Sequence, residues 1–67
     1  MRDAMIQALK LHAKANSQLH CMNIEVYLKN PAGIGEHSDI MEAIQAELDK
    51  MAMHEDRLDI LHNYFSE

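Results

Sequence analysis

Every residue that strongly disfavours a helix sits in one short stretch. The two glycines and the single proline all fall within Asn30-Pro31-Ala32-Gly33-Ile34-Gly35. Proline has no N–H to donate and pushes the residue before it out of the helical region, so a helix entering this stretch must stop near Lys29. Gly33 and Gly35 suit a tight reversal with Ile34 folded back over the end of a core. On either side the chain is built from good helix formers. Beyond the reversal, Ser38 or Asp39 can accept the orphan N–H bonds that open a helix. Glu42 stands three residues after Asp39, at capping-box spacing. This pattern predicts one all-α domain spanning 1–67, with a helix over about 2–29, a loop over about 30–38 and a second helix over about 39–65.

Spacing of the apolar residues then predicts how the helices pack. In the first helix Met5, Ala8, His12, Ala15, Leu19, Met22 and Val26 alternate in steps of three and four. In the second, Met41, Ile44, Leu48, Met51, Glu55, Leu58, His62 and Phe65 do the same. Such heptads are the mark of packed helices. A connection this short suits antiparallel neighbours, giving a two-helix hairpin about 40 Å long.

At 67 residues and 7.7 kDa the chain is marginal as a lone domain. Cys21 is its one cysteine, so no internal disulfide reinforces it and a reducing compartment fits. Two apolar groups fall outside the seams: Cys21, Ile24, Tyr27 and Leu28 on the first helix, and Met53, Ile60, Leu61 and Tyr64 on the second. Apolar patches of this kind mark interfaces. They predict a homodimer forming a four-helix bundle. Because one patch lies near the loop and the other near the chain ends, packing with loops at opposite ends would bring them level across a two-fold axis.

Five histidines in a chain this short raise the question of a metal. A reversal near residue 34 sets His12 level with His54, Glu55 and Asp56, a layer with imidazole and carboxylate donors. His12, His54 and Glu55 are therefore the candidate ligands. The simpler reading is that His12 is a core polar residue hydrogen-bonded to Glu55 and fixing the register. No cofactor is expected. Gly33-Ile34-Gly35 is too short for a phosphate cradle, and Glu36, Asp39 and Glu42 would repel an anion there. Cys21 has no second cysteine beside it and reads as a buried small hydrophobe. The serines show no nucleophile setting, and a hairpin leaves little room for a cleft, so the chain reads as non-enzymatic.

Net charge is −5, which argues against a generic basic nucleic-acid module. The charge is uneven: Arg2, Lys10, Lys14 and Lys29 oppose only Asp3 and Glu25 up to residue 30, while Lys50 and Arg57 oppose nine acids after it. Gln7, Lys10, Lys14, Ser17 and Gln18 share the expected outer face of the first helix, and Gln7, Lys10, Lys14 and Gln18 give an alternative reading as an RNA-phosphate contact surface. With 48% hydrophobic residues the chain is too apolar to be disordered. No apolar run reaches the roughly 18 residues of a membrane span, and acidic and polar residues come too early for a signal peptide. The expectation is a cytoplasmic protein without membrane contact.

The stretch Val26-Tyr27-Leu28-Lys29-Asn30-Pro31-Ala32-Gly33-Ile34-Gly35-Glu36-His37-Ser38-Asp39-Ile40 resembles one found in short uncharacterised proteins of marine T4-like phages, cyanophages included. Glu47-Leu48-Asp49-Lys50, Asp56-Arg57-Leu58 and Tyr64-Phe65 continue the likeness. The resemblance implies a virus-encoded protein made in a bacterial cytoplasm, and it supplies no activity and no site residue. Taken together, the expected function is contact with an unidentified protein partner as a virion accessory or a modulator of the host. RNA binding and a metal-binding bundle centred on His12 are the alternatives.

Overall fold

The computed structural model describes residues 1–29 and 37–66. Helix α1 runs Arg2–Lys29 and helix α2 runs His37–Phe65. They pack along their length as a hairpin of 48 × 15 × 13 Å. The α1 bounds are those expected from Pro31. The expected turn at Gly33 and Gly35 lies outside the described residues. Helix α2 starts two residues earlier than the capping pattern implied, so Asp39 is not the cap. It sits in the first turn, where its carboxylate still favours the positive end of the helix dipole.

Faces, rather than lengths, are where the structure departs from the sequence reading. In α1 the seam against the partner helix is formed by Ile6, Lys10, Ala13, Ser17, His20, Ile24 and Tyr27, with partly buried Asn16 and Asn23 beside it. In α2 it is formed by Ile40, Ile44, Glu47, Met51, His54, Leu58 and Leu61. Both sets step by four and three without interruption, so each is a full heptad seam. The seam expected in α1 faces solvent instead: Met5, Leu19, Met22 and Val26 are each more than half exposed, and Ala8, His12 and Ala15 are exposed with them. In α2 three of the eight expected seam residues lie on the inner face. Ile44, Met51 and Leu58 are partly buried, whereas Met41, Leu48, Glu55, His62 and Phe65 are exposed.

Small side chains explain the choice of face. Ala13 and Ser17 are 2% and 4% exposed at the middle of the contact, and side chains this small let two backbones approach closely. Ser17 and Glu47, buried in the same seam, find hydrogen-bond partners across it, which removes most of the penalty for burying them. Ile24, Tyr27 and Leu61, expected at a dimer interface, are partly buried inside the hairpin, while Cys21, Leu28, Met53, Ile60 and Tyr64 remain exposed.

The two candidate faces of α1 make opposite predictions for alanine enlargement. Ala13→Leu should cost about 1–3 kcal/mol, because it overpacks a filled contact. Ala15→Leu, on the exposed stripe, should change stability by less than about 0.5 kcal/mol. Urea unfolding followed by circular dichroism separates the two; the reverse order would place the seam on the Met5–Val26 face.

Candidate functional site

The centre of the hairpin is a polar layer flanked by apolar ends. Glu47 on α2 is 8% exposed and accepts two hydrogen bonds on Oε1, from His20 Nδ1 at 3.1 Å and from Asn23 Nδ2 at 2.5 Å. Lys50, one turn along α2, brings its Nζ to 3.9 Å from Oε2. An ionised carboxylate can only accept, so the proton of the His20–Glu47 bond sits on Nδ1. The Asn23 hydrogen bond, then that from His20, hold the Glu47 carboxyl below its ordinary value; burial pushes it up by less than either bond, and the charges of His20 and Lys50 add smaller downward pushes. Further from the loop, buried Ser17 donates from Oγ to Glu55 Oε2 at 2.5 Å. Near the chain ends Lys10 Nζ donates to Ser66 Oγ.

Three histidine rings meet beside these anchors. His54 is 6% exposed, with the His20 ring parallel to it at 5.8 Å and the His12 ring edge-on at 5.7 Å. Its Nδ1 is buried without a hydrogen-bond partner among the described residues. Removal from water lowers its pKa from the ordinary value, and the positive charges of Arg57, His12 and His20 lower it further. His54 therefore packs as a neutral ring.

The expected ligand set is only partly assembled. His12 and His54 do meet, as the antiparallel register required. Glu55 is taken by Ser17, so the expected His12–Glu55 pairing is replaced by His12 against His54. Among the described residues no group of three His, Cys, Asp or Glu side chains is placed to hold a metal ion. Ser17, His20, Asn23 and Glu47 were missed because they are polar, and periodicity was counted on apolar residues. A signal was present: Ile40, Glu47, His54 and Leu61 are spaced by sevens, and Ser17, His20 and Ile24 continue a three-four alternation.

Grooves open between the helices. One, of about 460 Å³, is walled by Leu9, His12 and Ala13 from α1 and Arg57, Ile60 and Leu61 from α2. It is larger than a hairpin was expected to offer and falls within the size range of ligand pockets. Its walls are mainly apolar, and no nucleophile–base pair lines it. Another, of about 270 Å³, gathers Gln7, Lys10 and Lys14 of the expected RNA face with Leu11, Leu58 and His62. Gln18 is exposed beyond it. No described helix is long and apolar enough to cross a membrane. No family model, curated protein or solved structure matches the chain.

Two acid transitions follow from the polar layer. A His whose folded pKa lies below its unfolded value near 6.5 contributes stability above that value, and the contribution is lost as pH falls through the folded one. Glu47, also lowered, contributes above its unfolded value of 4.5 and loses that contribution on further acidification. The urea midpoint should thus fall as pH drops below about 6.5, and again below about 4.5. His54→Leu should flatten the first decline and Glu47→Gln the second. A midpoint constant from neutral pH to below 6 would contradict a neutral, buried His54.

Proposed function

We propose that this chain is a non-enzymatic helical hairpin that works by protein–protein contact. One observation carries the reading: a heptad of large apolar side chains in α1 stays exposed after the hairpin has formed. Met5, Leu19 and Val26, with His12, fall seven residues apart. On α2, Met53, Ile60 and Tyr64 are exposed as well. His12 of the α1 stripe and Ile60 of the α2 stripe wall the same groove, which joins the two stripes into one face. Apolar faces of this extent are characteristic of interaction sites rather than of free surface.

The polar layer supports the same reading. Its hydrogen bonds tie α1 to α2, so the groups that look chemically versatile are occupied in holding the hairpin together. The likeness of residues 26–40 to short marine T4-like phage proteins supports a virus-encoded accessory or host-modulating role, exercised in a bacterial cytoplasm. The RNA alternative draws on Gln7, Lys10 and Lys14, but Lys10 is engaged by Ser66 and only half exposed.

Photo-crosslinking tests the choice between these faces. With a photoreactive residue at Val26 or Ile60, the full chain expressed in bacteria should give discrete protein adducts. The same group at Lys14 or Gln18 should give far fewer. Nucleic-acid adducts from Lys14 and Gln18, with none from Val26 and Ile60, would overturn the reading in favour of RNA.

A further inference from the structure

We propose that the exposed apolar face is covered by a second copy of this chain, in a two-fold four-helix bundle that sets α1 of each copy against α2 of the other. This rests on the contact reading above and names the occupant of the face. Area is the first argument. The hairpin exposes 5200 Å², whereas a compact chain of 7.7 kDa exposes about 4,300 Å². The excess of about 900 Å² is close to the roughly 800 Å² that each partner buries in a stable protein complex.

Shape is the second argument. The stripe of Met5, His12, Leu19 and Val26 runs nearly the whole of α1, and a parallel row of Met1, Ala8, Ala15 and Met22 lies beside it, also at steps of seven. A strict seven-residue repeat is the pattern by which one long helix receives another. The face is as long as the hairpin, and a second hairpin supplies helices of the same length and repeat.

Charge decides how the copies sit. In α1, Arg2, Lys10, Lys14 and Lys29 against Asp3 and Glu25 leave +2. In α2, Lys50 and Arg57 against Asp39, Glu42, Glu47, Asp49, Glu55, Asp56 and Asp59 leave −5. A four-helix bundle has two near neighbours and one diagonal partner for each helix. Placing the two acidic α2 helices on the diagonal gives each of them only α1 neighbours, whereas the other face-to-face arrangement puts α2 beside α2. With the two-fold axis along the bundle, the favoured arrangement brings both loops to one end. The contrary expectation, loops at opposite ends, relied on Ile24 and Tyr27 as a free patch, and both are partly buried within the hairpin.

Light scattering on a sizing column, with the purified full chain at micromolar concentration, should give twice 7.7 kDa. Leu19→Glu and Ile60→Glu alter side chains exposed in the single hairpin and should each shift the mass to that of one chain. Should either variant unfold, the wild-type melting temperature decides: it should rise with protein concentration for a dimer and stay constant for a monomer. For the arrangement, a spin label at Lys29→Cys in a Cys21→Ser background should report about 20 Å between copies, against about 40 Å for loops at opposite ends. A wild-type monomer whose melting is independent of concentration would overturn the proposal. If that monomer still gave crosslinks from Val26 and Ile60 to another protein in cells, the contact reading would stand without the second copy. If it gave none, both would fall.

Discussion

The hairpin is organised around a single buried carboxylate. Glu47 gathers His20 and Asn23 from the opposite helix on one oxygen and the Lys50 ammonium near the other. A carboxylate moved out of water is costly unless its lone pairs are occupied, and here donors from both helices approach it. Loss of those donors would leave a buried, unpaired charge, so α1 and α2 have one favourable axial register and one favourable pair of faces. Ala13 and Ser17 permit the close approach, and the three histidine rings meet beside Glu47 and Glu55.

Because polar and small residues take the middle of the seam and one apolar stripe of each helix fills the rest, the remaining large hydrophobes of α1 have no place inside the hairpin. Two side-by-side helices bury one stripe each, and α1 carries two stripes with heptad spacing. The stripe at Ile6, Ala13, Ser17, His20, Ile24 and Tyr27 is used within the chain. The one through Met5, Leu19 and Val26 is left outside. Specificity within the hairpin and stickiness outside it are thus two results of one allocation: polar groups define which faces pair inside, and apolar ones remain for a partner.

Helix number, extent and direction were legible because they depend on local signals. Pro31 and the glycines could lie only at a break, and the α1 bounds followed from them. The identity of the inner face was not legible from apolar periodicity, since His20, Ser17 and Glu47 count as polar when read one at a time. Their burial makes sense only as a set spanning both helices, and a single helix does not reveal which polar residues will find partners. His12 shows the same limit. Its level opposite His54 could be read from the reversal, yet its partner could not, because Ser17 competes for Glu55.

The contacts that close the hairpin are graded in sequence distance. Asn23–Glu47 and His20–Glu47 span 24 and 27 residues, Ser17–Glu55 spans 38, and Lys10–Ser66 spans 56. Loop-closure entropy grows with the intervening length, so of these four hydrogen bonds the two at Glu47 are the least costly to form from an open chain. Once they have formed, each later contact closes only a short remaining loop. Folding by this route is a zipper that starts near Glu47 and travels toward the chain ends. Run backward, the same order would open the end that carries Met5, Ile60 and Tyr64 before the carboxylate cluster, leaving the register of the helices held at Glu47.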